Sequence, residues 1–165
     1  MIKLLLAGFK GVGKTTCGRL VAQKLAFPFF DTDEILSSRY KKSIRALYQE
    51  LQEERFREEE AKVLQELKNL QEKVVIALGG GTLLHTKTQE IAPDMGSLVY
   101  LYASEDTLLE RLDSASFLDH NDFEGSFKHV FQKRHPLFCK VCQYRVDVDM
   151  LTPDEVAKTI LDFYG

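Results

Sequence analysis

Short, wholly apolar runs alternate along the chain with longer stretches in which apolar residues recur every three or four positions. IKLLLA, residues 2–7, reads as a strand buried on both faces and ended by glycine. From residue 14 to 26 the apolar positions Cys17, Leu20, Val21 and Leu25 follow helical spacing. FPFF, residues 27–30, gives a short extended segment, because Pro28 disfavours helix in the residue before it. A short helix is expected over residues 33–38. Ser43 is a fitting N-cap for a long helix to about Asn69, with Leu47, Leu51, Phe56, Val63, Leu64, Leu67 and Leu70 on its buried side. KVVIAL and SLVYLYA are two further buried strands, the first stopped by three glycines. EDTLLERL returns to helical spacing. Residues 114–125 are polar and poorly periodic and read as a loop. Residues 127–142 are helical again, with a kink or break expected at Pro136. YRVDV is the last strand. A final helix follows, with Thr152 at its N-cap, Pro153 in the first turn and Glu155 three residues beyond the cap.

Strands alternating with helices imply right-handed β-α-β units, hence an α/β fold with a parallel sheet covered on both faces. The length of 165 residues suits one domain spanning 1–165, and an apolar fraction of 44% is enough for a real core. With 22 basic against 25 acidic residues, the chain lacks the basic excess of a nucleic-acid binder. No run of about 18 apolar residues suggests a membrane span, and the first strand is too short to be a signal sequence. Three cysteines, an odd number, favour reduced thiols in the cytoplasm. Cys139 and Cys142 form a lone C-x-x-C. A metal or redox pair is one reading; two thiols on one helix face is the favoured one, since no second cysteine or histidine pair has matching spacing.

The first strand leads into GFKGVGKTT. Gly8, Gly13, Lys14 and Thr15 complete the phosphate-loop pattern G-x-x-x-x-G-K-[ST], between a strand and a helix as that motif requires. Gly11 and Gly13 permit backbone angles closed to other residues, so that N–H groups turn inward onto phosphate oxygens. The helix opening near Lys14 adds its positive dipole end. The Lys14 ammonium suits the β- and γ-phosphates, and the Thr15 hydroxyl suits Mg2+. Gly11, Val12, Gly13, Lys14, Thr15 and Thr16 are therefore the candidate nucleotide-binding residues. The loop alone does not choose among switches, motors and small-molecule kinases.

FFDTDEI carries Asp31 and Asp33 two apart, on one side of the chain if the segment stays extended. One carboxylate can serve Mg2+ and the other can hold an acceptor hydroxyl and take its proton. Helix capping by Asp31 or Thr32 is the alternative, and it leaves the second aspartate unexplained. Gly79, Gly80 and Gly81 end a strand where open α/β sheets bind ligands, and they would let a ligand approach the backbone. Arg57, within the charged run EERFREEE, and Arg134, within KRHPLF, are by themselves best read as solvated.

Together, GFKGVGKTT, DTD, the Phe56–Arg57 pair, GGGT and KRHPLF…YRVD resemble shikimate kinases in order and spacing over nearly the whole chain. The resemblance implies a three-layer P-loop kinase fold like that of nucleoside-monophosphate kinases. It has a five-stranded parallel sheet, a mobile lid at about residues 113–125 and a substrate-binding helical segment at about 33–60. It also implies ATP-dependent phosphorylation of the 3-hydroxyl of shikimate, in aromatic amino-acid biosynthesis, by a cytoplasmic monomer using ATP and Mg2+. Residue by residue, Asp33 becomes the base and Lys14 its catalytic partner. Thr15 and Asp31 become the Mg2+ pair, Arg57 and Arg134 the clamp on the shikimate carboxylate, and Gly79–Gly81 the patch under the ring. Arg111 becomes the arginine beside the adenine. A guanidinium grips a carboxylate in a two-pronged fork that an ammonium cannot copy.

One departure stands out. The resemblance places an arginine in the lid, yet SASFLDHNDFEGSF contains no arginine or lysine before Lys128. Lys128, Lys133 or Arg134 could supply that charge, Lys14 and Mg2+ could suffice, or turnover could be slow. His120 and His129 are assigned no role. A kinase of another small anion such as gluconate, and a catalytically weak nucleotide-binding module, are the competing readings.

Overall fold

The computed structural model describes residues 2–112 and 123–164, without the side chains of residues 123–125. The chain folds as β1 (Lys3–Ala7), α1 (Lys14–Leu25), β2 (Phe29–Asp31), α2 (Thr32–Tyr40), α3 (Ile44–Lys68) and β3 (Val75–Ala77), then a 3-10 turn (Thr82–Leu84) and α4 (Thr86–Met95). It continues as β4 (Gly96–Tyr102), α5 (Glu105–Arg111), α6 (Phe123–Val141), β5 (Tyr144–Asp147) and α7 (Pro153–Tyr164). The five strands pair in parallel in the order β2-β3-β1-β4-β5. β1 is central and buried along its whole length, as its unbroken apolar run requires. Leu4–Leu6, Val75, Ile76, Leu98, Val99 and Leu101 form the sheet's share of the core. Lys3 is buried as well; its ammonium donates to the carbonyls of Lys68 (3.2 Å) and Leu70 (2.9 Å), satisfying the C-terminal end of α3.

Register brings the chemistry to one edge. Ala77 of β3 lies level with Leu6 of β1 and Asp31 of β2, so the segments that follow these three strands emerge side by side. The expected caps are present: Ser43 Oγ accepts from the Ala46 N–H (3.1 Å) and Thr152 Oγ1 from the Glu155 N–H (3.2 Å). Among the described residues no helix is long and apolar enough to cross a membrane.

Four local expectations change. The long helix α3 is interrupted at Gln52, whose φ of 66° and ψ of 172° are not helical. α4 was not anticipated: its inward residues Thr88, Ile91, Ala92 and Met95 mix a hydroxyl with apolar side chains, and it contains Pro93. α6 runs through Pro136 without the expected break. Phe127, Phe131 and Phe138 bury one face of α6 against Phe9, which outweighs one lost backbone hydrogen bond. α6 also begins at Phe123, inside the segment read as a loop. The remainder of the expected lid, residues 113–122 with His120, lies outside the described residues.

Candidate active site

The phosphate loop joins β1 to α1. Gly11 (φ 86°) and Gly13 (φ 103°) adopt the left-handed backbone that the sequence requires of them. Lys14 is buried, and its ammonium donates to the carbonyls of Gly8 (2.6 Å) and Phe9 (3.0 Å). Burial lowers the Lys14 pKa to about 8, opposed by the charges of Asp33 and Asp31 and reinforced by that of Arg134. Val12 is buried against the core, while Thr16 is exposed in the first turn of α1. Arg111, at the end of α5, leans on the loop: its Nη1 lies 3.4 Å from the Gly11 carbonyl and 3.5 Å from that of Val12. Phe9 stacks on Phe131 (4.9 Å between centroids) and meets Phe138 edge-on (5.2 Å), which fastens the loop to α6.

Asp31 does two things at once. Oδ1 caps α2, accepting from the N–H groups of Asp33 (2.9 Å) and Glu34 (3.3 Å). Oδ2 accepts from Thr15 Oγ1 at 2.6 Å. Capping and partnership with Thr15 are thus not alternatives. The two aspartates also converge for a reason other than strand alternation. Asp31 ends β2 and Asp33 lies in the first turn of α2, so the strand-to-helix corner turns both carboxylates toward Lys14. Asp33 has its pKa raised to about 6, chiefly by burial, then by Glu60 and Asp31, with Lys14 and Arg57 pulling the other way.

Arg57 is buried rather than solvated, and so is Glu60. Arg57 Nη1 donates to Glu60 Oε1 (2.5 Å) and Nε to Glu53 Oε1 (3.0 Å). The Tyr48 hydroxyl also donates to Glu53. Thr82 Oγ1 donates to Glu60 Oε2 (2.6 Å), tying the arginine's partner to the glycine segment. Burial disfavours the charge on Arg57, but Glu60 and Glu53 outweigh it and hold its pKa up. Arg134, from α6, donates to the Gly80 carbonyl (3.1 Å); burial and the nearby Arg57 charge lower its pKa. Two guanidinium groups so placed against each other favour an anionic ligand that satisfies both.

The triple glycine explains how these groups fit. A Cβ on Gly79 would lie 2.5 Å from Asp33 Oδ1, and one on Gly81 would lie 2.5 Å from Arg57 Cζ. At Gly80 the nearest atoms would be Lys10 N at 3.4 Å and Arg134 Nη1 at 3.6 Å. Gly79 and Gly81 therefore make room for the site's own side chains. Gly79 is further fixed by donation of its N–H to the buried Thr32 hydroxyl (2.9 Å).

The structure thus brings Lys14, Thr15, Asp31, Asp33, Arg57, Gly79–Gly81 and Arg134 to one sheet edge, with Arg111 on the far side of the loop. Sequence reasoning passed over Glu53, Glu60, Tyr48 and Thr82, and weighed Thr32 only as a helix cap. A signal for Glu60 existed: it falls on the same helical stripe as Phe56, Val63, Leu64 and Leu67. Cys139 and Cys142 stand apart from this edge. Burial pushes the Cys142 thiol up to about 12, and no cluster of three or more His, Cys, Asp or Glu able to hold a metal occurs among the described residues. Cys139 is exposed on α6 with its Sγ 3.7 Å from His135 Nε2, and Cys142 lies just past the end of that helix, so the two thiols do not share a helix face.

Comparison with known proteins gives a consistent picture. The family model described as shikimate kinase matches residues 10–164. A shikimate kinase of Thermodesulfovibrio yellowstonii is 35% identical, over 99% of this chain and 95% of that protein. Among solved structures, the shikimate kinase of Acinetobacter baumannii in complex with shikimate superposes with a TM-score of 0.92 at 28% identity, covering 99% of this chain and 93% of that one. A gluconokinase of Sinorhizobium meliloti, at 20% identity, covers 98% of this chain and 90% of its own with a TM-score of 0.63, a likeness of fold alone.

Proposed function

The chain belongs to the shikimate kinase family, and from that premise we propose that it transfers the γ-phosphoryl group of ATP to the 3-hydroxyl of shikimate, giving ADP and shikimate 3-phosphate. One observation carries the reading. Arg57 and Arg134 sit within reach of each other's charge, beside a glycine floor that also touches Asp33. A carboxylated acceptor held by the two arginines would present its hydroxyl to Asp33 and its far face to the phosphate loop.

In this mechanism the loop N–H groups and Lys14 hold the triphosphate, and Arg111 flanks the nucleotide. Arg57 and Arg134 anchor the acceptor carboxylate, so binding energy fixes the hydroxyl for in-line attack. Asp33 accepts the hydroxyl proton; its raised pKa makes it a better base than an exposed carboxylate. The Thr15–Asp31 pair is an all-oxygen donor set with a spare carboxylate oxygen lone pair, which suits a hard divalent ion. Mg2+ held there would neutralise charge on the β- and γ-phosphates.

The test is product identification by 31P NMR after incubating the protein with ATP, Mg2+ and either shikimate or gluconate. The reading expects a phosphate monoester on shikimate and stoichiometric ADP. Phosphorylation of gluconate in preference to shikimate, or no acceptor-dependent ADP with either, would overturn it.

A further inference from the structure

Phosphoryl transfer spreads negative charge over three equatorial oxygens, so cations able to reach that group matter more than any covalent step. The cations at the sheet edge are nearly all occupied. Lys14 donates to the Gly8 and Phe9 carbonyls, Arg57 to Glu53 and Glu60, Arg134 to the Gly80 carbonyl and Arg111 to the loop's outer carbonyls. Of the cations weighed from sequence as extra charge, Lys128 and Lys133 stand on α6, outside the phosphate loop. Lys10 is different. It lies inside the phosphate loop, its side chain is exposed, and it makes no hydrogen bond or ion pair with any described residue.

Its place in the fold is well defined. The Lys10 backbone nitrogen is the atom nearest to a Cβ built on Gly80, at 3.4 Å, and Arg134 Nη1 and the Gly8 carbonyl are next at 3.6 and 3.8 Å. The crest of the phosphate loop therefore touches the acceptor floor at Gly80, and Lys10 is attached at that seam. The preceding residue, Phe9, is clamped by Phe131 and Phe138, which fixes the root of the Lys10 side chain. A four-carbon stem rooted at the seam between donor and acceptor can follow a group that crosses it.

We propose that Lys10 is a second phosphate-directed cation of the loop, whose ammonium binds the γ-phosphoryl group as it passes from ATP to the acceptor. The bond from the γ-phosphorus to the β–γ bridging oxygen breaks, and the bond to the acceptor oxygen forms. The acceptor proton goes to Asp33, and Lys10 exchanges neither proton nor electrons. The inference rests on the reading of the loop as an ATP site and deepens it.

Lys10→Met and Lys10→Arg, each checked for an unchanged melting temperature, test it in two assays. In steady-state kinetics with shikimate, Lys10→Met should lower kcat at least about tenfold with KM for shikimate nearly unchanged, and Lys10→Arg should recover most of the loss. In calorimetric titration, Lys10→Met should weaken binding of the β,γ-imido analogue of ATP at least about threefold while leaving ADP within about twofold, because only the former carries a γ-phosphate. A kcat for Lys10→Met close to that of the wild type, or equal losses for analogue and ADP, overturns the proposal. Titration needs no acceptor. A wild-type protein inactive on shikimate, with analogue-selective loss still present in Lys10→Met, would remove the acceptor assignment and leave the Lys10 role standing.

Discussion

Replacing Gly81 by alanine adds one methyl group, and the structure says where it goes. The new Cβ would sit 2.5 Å from Arg57 Cζ, well inside contact distance. Arg57 is not free to retreat. Its Nε is held by Glu53 and its Nη1 by Glu60, and its guanidinium lies 5.2 Å from the Phe56 ring centroid and 5.8 Å from that of Tyr48. Overpacking of this kind costs about 1–3 kcal/mol. For a chain of this size each kcal/mol moves the melting temperature by about 2–4 °C, so the variant should melt about 2–12 °C lower. On the proposed assignment the displaced arginine would also lose its hydrogen bonds to the acceptor carboxylate. Bonds to charged groups are worth about 1.5–3 kcal/mol, so KM for shikimate should rise about 10- to 150-fold. KM for ATP should change little, since the loop is untouched. Gly80→Ala is the internal control, because its Cβ meets only ordinary contacts and its melting temperature should match the wild type. Scanning fluorimetry and a coupled ADP-release assay read both quantities. Wild-type melting and an unchanged KM for shikimate in Gly81→Ala would refute the close-approach argument.

Other perturbations test other parts. Because Asp33 titrates near 6 and must be ionised to act as base, kcat/KM for shikimate should fall tenfold per pH unit below about 6. Asp33→Asn should abolish that limb and lower kcat by about 10²- to 10⁴-fold. The sign reverses for stability. The fold raises the Asp33 pKa above its ordinary value of 3.8, so its contribution favours the native state at low pH and is lost as pH rises through about 6. Asp33→Asn should accordingly melt higher than wild type at pH 8. With its pKa lowered to about 8, Lys14 should produce an upper limb in kcat/KM for ATP, and in kcat that limb should lie at higher pH because bound nucleotide stabilises the ammonium. Gln52→Gly, at the non-helical break in α3, should raise stability by about 1 kcal/mol by relieving positive φ, measured by urea titration.

Legibility of this molecule from its sequence followed the range of the interactions involved. The phosphate loop is a local device: its glycines, lysine and threonine lie within eight residues, and strand and helix flank it visibly. β1, β3 and β4 were equally plain, because parallel strands buried on both faces are unbroken apolar runs, whereas the edge strands FFD and YRVD are short and partly exposed and were marked by their flanks. Through-space partnerships were hidden. Glu60 reads as one more acid in a charged run until Arg57 and Thr82 are seen to enclose it. The glycines of residues 79–81 announce close approach but not what approaches; that depended on where Asp33 and Arg57 arrive from other elements. α4 was missed although Thr88, Ile91, Ala92 and Met95 fall at helical spacing, because a hydroxyl opens that stripe and Pro93 interrupts it; Thr88 Oγ1 shares its proton between the carbonyls of Thr82 (2.5 Å) and His85 (2.7 Å). The Gln52 break has no glycine or proline to signal it.

The central claim is that two guanidinium groups select the carboxylate of an alcohol whose hydroxyl then meets Asp33 and the phosphate loop. The most direct measurement compares kcat/KM for shikimate and for its methyl ester, in the wild type and in Arg134→Ala. The account predicts that the ester is poorer by about 100-fold or more in the wild type, and that Arg134→Ala removes most of that difference by losing the acid rather than gaining the ester. Equal turnover of acid and ester by the wild-type protein would contradict it.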